Sequence, residues 1–132
     1  MLHAPREVVP VFKQAIPVLH VASSTAAEAF YCHRLGFRLH FAYRPDETRR
    51  DPCYMGLVRD GAWLHVSSFS GDGVSGNCAY LFVDDVDGLH AELLGRGVPI
   101  VLPPTDQTWG NRELYVHDPD GNSIRFGCPL RG

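Results

Sequence analysis

The chain has 132 residues, a formal net charge of −3 and 20% charged residues. That length suits one domain with one continuous core, and the charge balance leaves no basic footprint for nucleic acid or an anionic membrane. The apolar runs are strand-sized, which excludes a membrane-spanning helix, and Met1 to Gln14 lacks the apolar stretch of a secretion signal. A cytoplasmic protein is therefore expected. Cys32, Cys53, Cys78 and Cys128 form no C-x-x-C pair, so they read as free thiols rather than as zinc ligands or disulfides.

Residues 1–14 read as a polar arm, and 15–132 as a single domain. Ile16 to Val21 alternates as a strand, with Pro17 marking its start or an edge. Ser23, Ser24 and Thr25 are candidate helix caps, and Thr25 with Glu28 has capping-box spacing. A helix is expected over Ala26 to Leu35, stopped by Gly36. Phe37 to Tyr43 reads as a strand, and Arg44 to Pro52 as a loop. Strands over Tyr54–Val58 and Ala62–Phe69 join at Asp60-Gly61, a strong hairpin turn. Residues 70–77 are a Gly/Ser-rich linker. Cys78 to Val83 is the next strand. Asp84, Asp85 and Asp87 then crowd the start of a helix running to about Leu94, where the helix dipole favours negative charge. Val98 to Leu102 reads as a strand and Pro103 to Gly110 as a loop. A last hairpin, Arg112–His117 and Ser123–Gly127, turns about Asp118 to Asn122.

The second half repeats the first. Val21 and Val83 each end a strand that feeds a helix, 62 residues apart, and the turn glycines Gly61 and Gly121 are 60 apart. Two landmarks at nearly one offset argue for duplication. The expected architecture is α+β: two tandem βαβββ modules, 15–69 and 78–128, forming a concave sheet pocket.

These residues resemble a known family. Ile16-Pro-Val-Leu-His-Val21, followed by Phe30-Tyr31 and Leu35-Gly36-Phe37, resembles the opening module of the vicinal oxygen chelate superfamily, which contains glyoxalases, bleomycin resistance proteins and dioxygenases. Trp109-Gly-Asn-Arg-Glu-Leu-Tyr-Val-His-Asp-Pro-Asp-Gly-Asn122 resembles the closing motif, and the spacing is most similar to the bleomycin-resistance branch. The resemblance spans roughly residues 15–128. It implies the fold firmly and the function only broadly, since this fold hosts lyases, isomerases, dioxygenases, thiol transferases and antibiotic-binding proteins.

Metal enzymes of the superfamily place ligands on the first and last strands of each module. Carried over, those positions are Ile16, His65, Cys78 and Arg125. Ile16 has no donor atom and Arg125 is permanently cationic, so the set meets neither the iron nor the zinc or nickel requirement. No metal and no other cofactor is expected.

Strand parity separates two faces. Leu19, Val21, Leu64, Val66, Leu81, Val83, Ile124 and Phe126 should pack under the helices. The opposite parity carries Ile16, Val18 and His20; Trp63, His65, Ser67 and Phe69; Cys78, Tyr80 and Phe82; Ser123 and Arg125. An aromatic wall with a few polar groups suits a small-molecule site. Candidate ligand-binding residues are Trp63, His65, Tyr80, Phe82, Trp109, Arg125 and, if Asp60-Gly61 is a two-residue turn, Tyr54. Trp109 either stacks a ligand or caps the core. Arg112 is either an anchor or a salt-bridging edge residue. Glu113 and Tyr115 stay unassigned because Pro119 obscures the turn register. With Arg125 and His65 and no carboxylate on this wall, a neutral or anionic planar ligand is expected.

Three functions follow. The favoured one is a metal-free protein that sequesters an antibiotic or a flat aromatic metabolite, as a homodimer that closes its half-open sheets. The second is a metal-dependent lyase, isomerase or dioxygenase, which the ligand count opposes. The third is a cofactor-free enzyme with His65 as base and Arg125 stabilising an oxyanion.

Overall fold

In the computed structural model, which describes residues 8–131, the two halves form two four-stranded sheets with the same strand order. The first comprises β1 (Val18–His20), β2 (Arg38–Tyr43), β3 (Tyr54–Arg59) and β4 (Ala62–Ser67), in the order β1-β4-β3-β2. The second comprises β5 (Cys78–Phe82), β6 (Leu102–Asp106), β7 (Asn111–His117) and β8 (Ser123–Pro129), in the order β5-β8-β7-β6. In each, the first strand runs parallel to the last and the remaining pairs are antiparallel. The expected duplication is thus present in the topology. Among the described residues no helix is long and apolar enough to cross a membrane.

The first helix begins two residues earlier than the expected Thr25 cap places it. Helix α1 (Ser24–Glu28) is capped by Ser23, whose Oγ accepts the Ala26 N–H at 3.1 Å. Thr25 lies inside the helix and is exposed, so the expected Thr25–Glu28 box does not form. Ser23→Ala should therefore lower stability by about 1 kcal/mol, whereas Thr25→Ala should shift it by less than about 0.5 kcal/mol; urea midpoints of the two variants distinguish them. After Glu28 the helix widens into a π-helical segment, Ala29–Arg34, ending where the Leu35 N–H bonds the Phe30 carbonyl. The wider winding lets the adjacent Phe30 and Tyr31 both turn inward.

Helix α2 (Val86–Gly95) is capped by Asp85, which accepts the Gly88 N–H at 2.9 Å. The strand expected over Val98–Leu102 and the loop over 103–110 are both corrected. Strand β6 covers Leu102–Asp106, including Pro103 and Pro104. An edge strand tolerates prolines because one side needs no ladder donors, and the pairing of β6 with β7 breaks register between Leu102 and Thr105.

The helix-facing parity holds. Leu19, Val21, Leu64, Val66, Ile124 and Phe126 are buried in one cluster with Phe30, Tyr31, Leu93 and Leu114, and Leu81 and Val83 pack against it half-buried. Two exchanges tie the halves together. Arg34 donates to the carbonyls of Arg96 and Gly97, and Arg96 donates back to the carbonyl of His33. Arg59 spans from the Leu35 carbonyl to both oxygens of Glu92.

Candidate functional site

The face opposite the helices is where the predicted residues were placed. On the first sheet, the hairpin at Asp60-Gly61 has two turn residues, with Arg59 opposite Ala62, so Tyr54 pairs with Ser67, Gly56 with His65 and Val58 with Trp63. The conditional assignment of Tyr54 to this face follows from that register. Tyr43 and Phe41 on β2 lie opposite Tyr54 and Gly56 and join the same face. Phe41 was not foreseen, because a bulge at His40 shifts the strand's parity.

This first face is aromatic, with the Asp72 carboxylate near it accepting from Ser67 at 2.7 Å. The rings of Phe41 and Tyr54 are nearly parallel, 8° apart, with centroids 6.2 Å apart. His65 stands edge-on to both, at 5.5 and 5.2 Å. The Tyr54 hydroxyl lies 2.8 Å from His65 Nδ1. Burial lowers the His65 pKa and raises that of Tyr54, so both groups are neutral at pH 7. Trp63 packs its ring edge-on against His40 at 5.0 Å.

On the second sheet, the loop Asp118–Asn122 closes with His117 opposite Ser123, which sets Tyr115 opposite Arg125 and Glu113 opposite Gly127. Parity then places Glu113 and Tyr115 on the concave side with Arg125, Tyr80 and Cys78. The expectation of a wall without a carboxylate is therefore wrong. Glu113 is 1% exposed and accepts hydrogen bonds from three side chains: Tyr80 at 2.6 Å, the Trp109 indole at 3.0 Å, and Tyr115. Burial alone would raise its pKa, but those donors and the nearby Arg125 charge hold it below the ordinary glutamate value. Tyr80 is pushed up to about 12, by burial first and by its bond to Glu113. Arg125 lies over the Tyr115 ring, 4.5 Å from its centroid. With the Glu113 carboxylate beside the Arg125 guanidinium and His65 neutral, the wall has no net preference for an anion. The missed signal was the odd, five-residue length of the 118–122 loop, which fixes the parity of β7.

The seven predicted ligand residues do not all meet. Trp63, Tyr80 and Phe82 line a cleft of about 870 Å³ between the two halves, whose other walls include Pro17, Phe37 and Leu89. Phe82 is 70% exposed and meets Tyr80 edge-on at 5.2 Å. Tyr54 and His65 lie further along the first sheet, and Trp109 and Arg125 on the second. Tyr80 links the two regions, since it borders the cleft and holds Glu113. Trp109 is 64% exposed and tethered only through its indole N–H, so it sits at the rim rather than capping the core. Arg112 is engaged by Asp87 and Asp106 at 2.9 and 2.8 Å, as an edge residue.

The four superfamily ligand positions do not fit a metal. Ile16 offers no donor atom, and the guanidinium of Arg125 occupies the second-sheet position on Tyr115. Among the described residues no three His, Cys, Asp or Glu side chains are grouped to hold an ion.

Comparison with known proteins adds the following. The family model described as "Glyoxalase superfamily protein" matches residues 6–131. A bleomycin resistance protein of Geobacillus stearothermophilus is 29% identical over 133 residues, covering 86% of this chain and 94% of that relative. The structure of a bleomycin-binding protein complexed with bleomycin aligns with a TM-score of 0.71 at 25% identity, covering 90% of this chain and all of that one. TnmS3, an antibiotic binding protein from Streptomyces sp. CB03234, aligns with a TM-score of 0.68 at 27% identity, covering 92% and 100%.

Proposed function

Because this chain belongs to the glyoxalase superfamily, we propose that it sequesters an antibiotic or a flat aromatic metabolite, without a metal, in the cytoplasm. The observation that carries this reading is the cleft of about 870 Å³ between the halves, where Trp63, Tyr80 and Phe82 stand beside charged side chains such as Arg59, Asp85 and Glu92, with room for a drug-sized molecule. Two of the relatives are described as bleomycin- or antibiotic-binding, and their likeness supports the same role here. Aromatic contacts contribute roughly 0.5–1.5 kcal/mol each beyond area burial, so a few of them together with the apolar area buried supply micromolar affinity without covalent chemistry.

The proposal includes a homodimer in which a second copy closes the open cup. Its support is exposed apolar surface: Phe12 is 98% exposed, Val8, Val9 and Val11 are 73% or more, and Phe82 is 70%. Large apolar side chains left this exposed are surface that a second copy would cover.

Bleomycin is the first probe. Trp63 and Trp109 are the only tryptophans; Trp63 lines the cleft and Trp109 stands exposed beside Glu113, so intrinsic fluorescence reports binding at either place. We expect saturable quenching at micromolar bleomycin or below, one ligand per chain, and chemically unchanged bleomycin on recovery. Trp109→Ala should weaken binding by about tenfold, equivalent to about 1.4 kcal/mol, with an unchanged melting temperature. Absence of saturable binding to bleomycin would remove it as a ligand. Turnover that survives chelation and disappears in His65→Ala would replace sequestration with cofactor-free catalysis.

A further inference from the structure

The first-sheet face contains an arrangement that the cleft does not use. Gly56, on the central strand β3, is buried, and a Cβ at that position would lie 2.2 Å from Cε1 of Phe41 and 2.7 Å from Cδ1. Only the lack of a side chain at residue 56 lets the Phe41 ring settle onto the sheet. Phe41 is still 39% exposed there, so its other side is available to a ligand. Tyr54 continues the same plane, and His65 rises edge-on beside both rings.

His65 is held on one side only. Its Nδ1 is paired with the Tyr54 hydroxyl at 2.8 Å. Among the described residues Nε2 has no hydrogen-bond partner, and it is not among the buried unpartnered atoms. It therefore opens to the cup. A phenol is a better donor than a neutral imidazole N–H, and an imidazole nitrogen a better acceptor than a phenol oxygen, so the favoured pairing is Tyr54 O–H to Nδ1. The ring's proton then sits on Nε2.

We infer that the face formed by Phe41, Tyr54 and His65 is a subsite for a planar aromatic ligand bearing a carbonyl-type acceptor on its rim, with His65 Nε2–H as the donor and Gly56 as the residue that lays the Phe41 platform. Here His65 is neither a metal ligand nor a base. It is a fixed neutral donor, oriented by Tyr54. A neutral donor discriminates by shape and acceptor placement rather than by ligand charge. The arrangement thus names the ligand class within the sequestration reading, on which it rests.

The test compares two probes of one shape and charge, 9-fluorenone-2-carboxylate and fluorene-2-carboxylate, which differ in the ring carbonyl. Titration calorimetry on the wild-type protein should give the fluorenone probe about three- to tenfold tighter binding, the increment of one hydrogen bond made away from bulk water. His65→Leu should reduce that ratio to about one, because the bond to the ring carbonyl is lost from the fluorenone probe alone. Tyr54→Phe keeps the ring but frees the tautomer, and should lower the ratio partway. Gly56→Ala should displace Phe41 and weaken both probes equally, with the ratio preserved. Circular dichroism confirms that each variant is folded; if Gly56→Ala is not, Phe41→Ala serves the same comparison. Equal affinities in the wild type, or a ratio that survives His65→Leu, would overturn the inference. So would bleomycin binding with neither probe bound, which would leave sequestration standing. Failure of both probes and bleomycin together would overturn the sequestration reading and the inference with it.

Discussion

Glu113→Ala should destabilise the folded chain by roughly 2–4 kcal/mol, the range for breaking a buried, hydrogen-bonded charge network. The carboxylate is almost fully buried and takes three side-chain donors, from Tyr80, Trp109 and Tyr115. Its removal strands those donors and takes away a carboxylate whose charge the Arg125 guanidinium favours. The pH dependence gives an independent check. The folded-state pKa of Glu113 lies below the ordinary value, because the donors and Arg125 outweigh burial. A depressed carboxylate contributes stability that is fully present above its unfolded pKa and lost as pH falls through its folded one. The stability gap between wild type and Glu113→Gln should therefore be steady at neutral pH and narrow below about pH 4, near and under the unfolded glutamate pKa. Urea midpoints measured from pH 3 to 8 read this directly. A gap of constant size across that range would mean that the pKa of Glu113 is the same in the folded and unfolded chain.

Asn122→Ala should have an effect of similar size, about 3 kcal/mol, which corresponds to a fall in melting temperature of roughly 10 °C for a domain of this length. Asn122 is fully buried and joins three parts of the chain. Its Oδ1 accepts the backbone N–H groups of Gly76 and Asn77 in the linker, each at 3.0 Å. Its Nδ2 donates to the His20 carbonyl of the first sheet and to Asp118 Oδ2, each at 2.9 Å. Asp118 also accepts the buried Tyr31 hydroxyl at 2.8 Å, so the last hairpin turn is bonded to the first helix as well. Alanine leaves the two linker N–H groups and the His20 carbonyl without the side chain that joins them. His117→Ala, exposed on the adjoining strand, should change stability by less than about 0.5 kcal/mol. A calorimetric melt of Asn122→Ala within about 3 °C of wild type would show that the clasp is not structural.

Much of the face chemistry is legible in the sequence. Trp63, His65, Tyr80 and Arg125 share their faces because two-residue periodicity is a local property of extended backbone. Tyr54 followed once the Asp60-Gly61 turn fixed the register. Glu113, Tyr115 and Phe41 were not readable in the same way. For Glu113 and Tyr115, a single-residue uncertainty in the last hairpin loop reverses which side the strand presents. For Phe41, the bulge at His40 does the same, and nothing in the run Arg38–Tyr43 marks it. The helix cap failed for a related reason: Ser23, Ser24 and Thr25 are all competent caps, and the choice depends on where β1 releases the chain.

The sequence by itself determined the duplication, the strand and helix order of both halves, and the absence of donors at Ile16 and Arg125 that makes a bound metal unfavourable. Each of these depends on local periodicity, turn residues or side-chain chemistry, which act over a few residues. The tertiary structure alone decided that Trp63, Tyr80 and Phe82 border one cleft between the two halves, that Glu113 gathers Tyr80, Trp109 and Tyr115, and that Phe41 rests on Gly56. Those contacts join separate strands, and some join separate modules. Their geometry is set by inter-strand register and by packing of the whole core, which no local pattern encodes.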